Sequence, residues 1–256
     1  MPIQQICTIC AITKLNDYAY HFVLEAGKMG ALIRPGQFLH IKCGNERLLR
    51  RPISICEWQE DQPDDLVSIV FEVRGEGTDW LANRQEGDKL DVLGPLGNGF
   101  SVDCKKQYLV VGGGIGVPPI LGATTTGSTA VLGCRSADRV MPVLTDKFKE
   151  RCKDVLLYSD DGTVGTHGFV DAGVRKILSE KNDFAGVLAC GPRPMLRAVS
   201  KVAEEFGIPC QVSMEERMAC GVGACLGCAI QMADGTMKHV CKDGPVFDSR
   251  EVLWNV

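Results

Sequence analysis

Four cysteines carry the strongest chemical signal in the chain: Cys220, Cys225 and Cys228 in the run Cys220-Gly-Val-Gly-Ala-Cys-Leu-Gly-Cys228, and Cys241 beyond it. Spaced Cys-x4-Cys-x2-Cys with a distant fourth, four thiolates can hold a 2Fe-2S cluster, two on each iron. Gly221, Gly223 and Gly227 would let such a loop wrap the cluster and aim backbone N–H groups at its sulfurs with no Cβ in the way. A structural zinc ion is the alternative on this spacing, although zinc favours repeated Cys-x2-Cys knuckles and only Cys225 with Cys228 forms one.

Two further stretches have the chemistry to hold phosphate. In Arg50-Arg51-Pro52-Ile53-Ser54 a guanidinium can clamp a pyrophosphate bidentately, and the Ser54 hydroxyl can hydrogen-bond a ring nitrogen. The same dipeptide of arginines would also suit a solvated strand edge. About twenty-five residues on, Gly75-Glu76-Gly77-Thr78 reads as a flexible loop opening a helix whose N-terminal amides favour an anion, or as a plain glycine turn with a Thr cap. Two such devices close together suggest one dinucleotide. A second group lies later: Gly112-Gly113-Gly114-Ile-Gly116-Val-Pro-Pro follows a strand and opens a helix, and Cys190-Gly191-Pro192-Arg-Pro-Met195 ends another strand. Open α/β sheets bind ligands at such strand ends.

The elements that must position these residues change character along the chain. Up to about residue 100, short β-rich runs at 4–12, 18–24, 37–43, 53–58 and 66–73 alternate with turns at Asn16-Asp17, Gly30, Pro35-Gly36 and Gln62-Pro63-Asp64, which predicts an antiparallel barrel. A short helix is expected over 78–84 with Thr78 as N-cap. Strands at 107–111, 130–134, 155–158 and 186–189 then alternate with helices at 144–151, 170–178 and 195–206, the pattern of a parallel sheet.

Composition narrows the class. The 256 residues have thirteen cysteines, an odd number, and those outside the four above lie scattered in mostly apolar segments, unlike the disulfide framework of a short secreted chain. The expected location is the cytoplasm. No apolar run reaches the ~18 residues of a membrane span, and a net charge of -4 gives no footprint for nucleic acid. His21, His40, His167 and His239 show no ligand spacing and read as ordinary surface or core residues.

Taken together, Arg-Pro-x-Ser, Gly-Gly-Gly-x-Gly-Val-Pro-Pro, Cys-Gly-Pro-x-Pro-Met and the cysteine loop resemble the ferredoxin-NADP reductase superfamily. Within it, Arg50-Arg-Pro-Ile-Ser54, Leu93-Gly-Pro-Leu-Gly-Asn-Gly-Phe100 and Met214-Glu-Glu-Arg-Met-Ala-Cys220 resemble the electron-transfer subunits of the dihydroorotate dehydrogenase B family. The resemblance implies an FAD-binding antiparallel β-barrel over 1–101, a parallel-sheet α/β NAD-binding domain over 102–213 and a small 2Fe-2S domain over 214–256. It implies FAD on Arg51, Pro52, Ile53, Ser54, Val70, Phe71, Glu72, Gly77 and Thr78, and a nicotinamide dinucleotide on Gly113, Gly114, Gly116, Cys190, Gly191 and Pro192. Cys220, Cys225, Cys228 and Cys241 would ligate the cluster; Ser54 and Cys190 would act at the flavin and the nicotinamide.

Ile53 stands where many superfamily members have an aromatic residue, and Glu72 puts an acid where a basic or neutral residue is usual. The segment 119–128 is poor in helix formers, so an abbreviated first crossover is expected. The implied activity is that of an oxidoreductase subunit, incomplete alone. An FMN-containing catalytic subunit, two of each chain in a heterotetramer, would oxidise dihydroorotate in pyrimidine (UMP) biosynthesis, and electrons would pass through 2Fe-2S and FAD to NAD with no acid–base residue required of this chain. The alternatives are the FAD/2Fe-2S subunit of a sulfide dehydrogenase or of an NADH-dependent ferredoxin-NADP oxidoreductase, and a non-enzymatic redox sensor. NAD and NADP both remain open, since Arg135 could meet a 2′-phosphate and Asp138 a ribose hydroxyl.

Overall fold

The computed structural model describes residues 2–59 and 66–254, so the turn expected at Gln62-Pro63-Asp64 lies outside the described residues. Strands β1 (Ile3–Lys14), β2 (Ala19–Glu25), β3 (Phe38–Ile41), β4 (Arg51–Trp58), β5 (Leu66–Glu72) and β6 (Lys89–Leu96) close an antiparallel barrel in the order β1-β2-β5-β4-β3-β6. Alternation drives closure: Phe22, Leu24, Leu39, Ile41, Ile55, Ile69 and Val92 fill the interior, while their sequence neighbours face outward. Five of these strands were legible as β-rich runs. The sixth was not, because Gly94-Pro95 interrupts β6, and both residues weaken a strand reading.

Helix α1 (Glu76–Ala82) starts earlier than expected, with Gly75 as N-cap and Thr78 inside the first turn. The expectation of Thr78 as N-cap is therefore corrected. The Thr78 hydroxyl reaches back instead, accepting the Arg74 and Gly75 N–H groups at 2.9 and 3.2 Å, and so pins the loop ahead of the helix.

The second sheet contains β7 (Leu109–Gly113), β8 (Thr129–Cys134), β9 (Asp154–Ser159), β10 (Thr166–His167), β11 (Val187–Cys190), β12 (Cys210–Ser213) and β15 (Val246–Asp248), in the order β10-β9-β8-β7-β11-β12-β15. All neighbours are parallel except β12 and β15. Helices α2 (Val117–Leu121), α3 (Pro142–Arg151), α4 (Val170–Glu180) and α5 (Arg193–Glu205) supply the connections. The chain winds outward from β7 through β8 and β9, then returns to place β11 on the other side of β7. The gap between the C-terminal ends of β7 and β11 is thus a topological switch point.

The abbreviated first crossover is present. Helix α2 has five residues, all buried, and it lies on barrel strand β4, where a Cβ at Gly122 would meet the Cys56 carbonyl oxygen at 2.9 Å. A longer helix would have to push the barrel away. Glu57 of β4 pairs with both Lys147 and Arg151 of α3, and the Arg139 guanidinium sits 3.2 Å from the Tyr18 ring centroid, so polar contacts flank the apolar junction. A small hairpin, β13 (Ala229–Gln231) with β14 (Met237–His239), carries the chain from Cys228 towards Cys241. Cys228, Ile230, Val240 and Cys241 join Val212 and Phe247 in one core, so the cysteine segment packs on the sheet. Among the described residues, no helix is long and apolar enough to cross a membrane.

Candidate functional site

A cleft opens between barrel strands β4 and β5 and the switch point of the second sheet. Arg51, Ser54, Glu72 and Thr78 line one side; Ile115, Cys190, Ser213 and Glu215 line the other. Pro52, Ile53, Val70 and Phe71 also reach it, so the barrel positions singled out from sequence, Gly77 apart, meet in one place.

The two arginines separate cleanly. Arg50 Nη1 donates to the Asp91 carbonyl at 2.8 Å and Nη2 to the Asp91 carboxylate at 2.7 Å, tying β4 to β6. Arg51 instead donates to the Leu49 carbonyl at 2.7 Å and extends its guanidinium over the first turn of α1. A Cβ at Gly77 would stand 2.8 Å from Arg51 Cζ. The backbone of α1 therefore leaves room for the guanidinium only because residue 77 is glycine. That cradle suits a pyrophosphate: the planar fork lies over the first turn of a helix, whose N-terminal end favours an anion. The acid at Glu72 is not an unpaired charge, since its carboxylate accepts both Nε and Nη2 of Arg74 at 3.0 and 2.9 Å.

On the sheet side the glycines divide into two roles. A Cβ at Gly113 would run into Met195 Sδ and one at Gly116 into the Cys190 carbonyl, so these two let the segments that follow β7 and β11 pack closely against each other. Gly191, at φ +157, is likewise pressed on Met195, with Pro192 beside Gly113. Gly114, at φ +54, has nothing within 4 Å of its Cβ position and is the glycine open to a ligand. Cys190 is 3% exposed, and burial, reinforced by the charge of Glu215, pushes its thiol up to about 12. It is a neutral thiol at pH 7, suited to packing and orienting, not to nucleophilic attack.

Glu215 was missed at the level of sequence. The cleft walls around it raise its carboxyl above the ordinary range, Arg74 opposes and Glu72 reinforces the shift. Its sequence signals are its place in the run Met214-Glu-Glu-Arg and its position two residues beyond the C-terminal end of β12, where such sheets bind ligands.

The cysteine loop turns through left-handed residues Gly221, Gly223 and Leu226 at φ +73, +78 and +61. This conformation aims N–H groups at sulfur: Val222, Ala224 and Cys225 donate to Cys220 Sγ at 3.5, 3.3 and 3.4 Å, and Gly223 to Cys241 Sγ at 3.2 Å. Burial works to raise the Cys220 thiol, but those donors and the Cys225 side chain outweigh it and hold it at about 6. The thiols associate as Cys220 with Cys225 and Cys228 with Cys241. Among the described residues, no three His, Cys, Asp or Glu side chains converge on a single-ion position. Two thiol pairs, with N–H donors already aimed at sulfur, suit a cluster whose two irons each take a pair. The loop rests on the barrel, where Gly221 meets the buried ring of His40 on β3.

Residues 215–253 match the family described as "Iron-sulfur cluster binding domain of dihydroorotate dehydrogenase B". The chain is 41% identical to the dihydroorotate dehydrogenase B (NAD(+)) electron transfer subunit of Listeria monocytogenes serotype 4a, over 94% of this chain and 95% of that one. It is 39% identical to the protein of the same name from Caldanaerobacter subterraneus subsp. tengcongensis, over 86% and 87% of the two chains. A structure of an NADH-dependent reduced ferredoxin-NADP oxidoreductase superposes with a TM-score of 0.85 at 32% identity, covering 98% of this chain and 91% of that one. A ferredoxin reductase of carbazole 1,9a-dioxygenase shares the fold at a TM-score of 0.65 and 21% identity, covering 81% and 67%.

Proposed function

Because the chain belongs to the family of dihydroorotate dehydrogenase B electron transfer subunits, we propose that it accepts electrons from an FMN-bearing partner that oxidises dihydroorotate and delivers them, by way of 2Fe-2S and FAD, to NAD in UMP synthesis. It is an oxidoreductase electron transfer subunit, and its cofactors are a 2Fe-2S cluster and FAD. The observation that carries the proposal is the shared cleft. Barrel residues suited to a flavin dinucleotide face switch-point residues suited to a nicotinamide, while the cysteine loop lies against the same barrel.

In this reading Arg51, with Gly77 and Thr78 at the start of α1, holds the pyrophosphate of FAD; Pro52, Ile53, Ser54, Val70, Phe71 and Glu72 line the flavin. Gly114 admits the nicotinamide dinucleotide, Gly113, Gly116, Gly191 and Pro192 shape the close packing beneath it, and Cys190 packs against the ring to be reduced. Cys220, Cys225, Cys228 and Cys241 ligate the cluster, with Val222 and Leu226 exposed on the loop where a partner would dock. Flavin supplies the chemistry that joins one-electron delivery to two-electron hydride transfer.

The chain's own groups orient and protonate. Ser54 hydrogen-bonds the flavin ring, and Ser54→Ala should slow flavin–nicotinamide exchange without emptying the site; an unchanged rate in rapid mixing would remove it from the mechanism. Electrons from a cluster bring no proton, whereas a hydride leaves with one, so each NAD reduced requires one proton from the surroundings. We assign to Glu215, on the cleft wall, the role of holding that proton at its carboxyl. Desolvation in the cleft shifts this carboxyl upward, so the acid form persists to higher pH than for an ordinary carboxylate, and the rate should fall as the pH rises. Glu215→Gln should be slower and lose that limb of the pH profile; an unaltered profile would exclude Glu215.

Purified alone, the chain should reduce artificial acceptors with NADH and turn over no dihydroorotate, and adding the FMN subunit, two of each, should restore NAD-linked orotate formation. Dihydroorotate oxidation by the isolated chain would overturn the relay. The likeness to the NADH-dependent ferredoxin-NADP oxidoreductase favours a second reading, a subunit of such an enzyme, and failure of the FMN subunit to bind or couple would select it.

A further inference from the structure

We infer that Arg139 is a further binding residue for the nicotinamide dinucleotide, held by the barrel so that its guanidinium meets the dinucleotide's pyrophosphate. The inference rests on the reading above that Gly114 admits that ligand. A second, smaller cavity has Gly114, Gly133, Cys134 and Arg139 in its wall. Strands β7 and β8 run parallel with Gly113 opposite Gly133, so the turn at Gly114 and the end of β8 share the C-terminal edge of the sheet. Gly114 lines this cavity and Ile115, the next residue, lines the cleft. A dinucleotide whose nicotinamide lies at Cys190 and whose far end passes towards β8 therefore carries its pyrophosphate across this turn.

The turn lacks the usual means of holding an anion. Glycine-rich turns of this kind rely on N–H groups at the start of the helix that follows, but α2 has five residues and opens Val117-Pro118-Pro119, so two of its first three residues carry no N–H. A side chain must supply the attraction, and among the described residues lining the cavity Arg139 alone bears a charge. Asp138, Asp160 and Asp161 put negative charge around Cys134, which makes an anion's approach depend on that guanidinium. The barrel sets it in place. Asn16 Nδ2 donates to the Arg139 and Val140 carbonyls at 3.4 and 3.2 Å, while Asn16 Oδ1 accepts the Tyr18 and Ala19 N–H groups, both at 2.9 Å. The guanidinium then lies over the Tyr18 ring, with Cζ 3.2 Å from the centroid. Stacking of this kind leaves the in-plane N–H donors for a phosphate. Asp138 does not claim them: its carboxylate, which accepts the Ser136 hydroxyl, is 3.6 Å from Arg139 Nε, beyond hydrogen-bond reach, and both side chains are partly open to solvent.

The test titrates the holo chain with ADP-ribose, which keeps the pyrophosphate and lacks the nicotinamide, by calorimetry at two ionic strengths. Arg139→Gln should weaken binding roughly ten- to a hundredfold and flatten its salt dependence. Arg139→Lys should recover part of both, and FAD and iron content should match the wild type throughout. Tyr18→Leu, which keeps the charge but removes its support, should weaken binding by less. Wild-type affinity in Arg139→Gln overturns the inference, as does weaker binding with an unchanged salt dependence, the mark of a residue that only clamps barrel to sheet. Undiminished ADP-ribose binding by Gly114→Leu would instead defeat the placing of the dinucleotide at this turn, whatever Arg139 does.

Discussion

Alanine at Cys220, Cys225, Cys228 or Cys241 is expected to abolish the 2Fe-2S signal in visible and EPR spectra, while alanine at any of the other nine cysteines leaves it intact. Each iron requires two thiolates, and the thiols form two pairs. The contrast in environment sharpens the expectation. Cys190 and Cys210 sit in the core, where burial pushes both thiols up to about 12 and serine hydroxyls, Ser213 for one and Ser249 with Ser200 for the other, offset it only in part. Cys220 has three backbone N–H donors and is held at about 6. Iron per chain, measured chemically, checks the spectra. Loss of the cluster in Cys190→Ala or Cys210→Ala together with retention in Cys241→Ala would refute the assignment.

Gly77→Ala should impair FAD binding about as much as Arg51→Ala does. The added methyl occupies the space of the guanidinium, 2.8 Å from its Cζ and 2.9 Å from Nη2, so the arginine must leave the pyrophosphate cradle. A charge-assisted contact is worth about 1.5–3 kcal/mol, roughly ten- to a hundredfold in affinity. Because both substitutions remove one interaction, the double variant should lose little more than either single one. Gly75→Ala is the control: its φ of 177 is extended backbone and nothing lies within 4 Å of the new methyl. Apoprotein titrated with FAD under fluorescence measures all four. Tight FAD binding by Arg51→Ala would move the pyrophosphate site elsewhere.

Much of this arrangement is written locally and some is not. The barrel strands and the βα alternation announce themselves because side-chain periodicity is a short-range property. Strand β6 is hidden by Gly94-Pro95, and β15 is three residues long with a partner some thirty-five positions away. Arg50 and Arg51 are chemically identical in sequence, and only strand register sends one to Asp91 and the other to the cleft. The glycines at the end of β7 all read as a phosphate loop, whereas Gly113 and Gly116 serve close packing against Met195 and the end of β11. Glu215 and Arg139 draw their character from groups distant in sequence, Arg74 with Glu72 for one and Tyr18 for the other. No window of neighbouring residues contains that information.

Strand β15 gives the cysteine segment an anchor at each end. The chain leaves the sheet at the end of β12, forms the thiol loop, and returns to hydrogen-bond that same strand antiparallel, Ser213 opposite Val246. The cluster-binding segment is therefore a closed excursion from one sheet edge and cannot be removed like a tail. A cut after Ser213 would strip β12 of its neighbour and leave a row of unpaired N–H and C=O groups, the template by which sheets recruit other chains. It would also bare Val212, now 0% exposed. Such a truncation is expected to self-associate, so the flavin half is better studied by emptying the thiol loop than by deleting it.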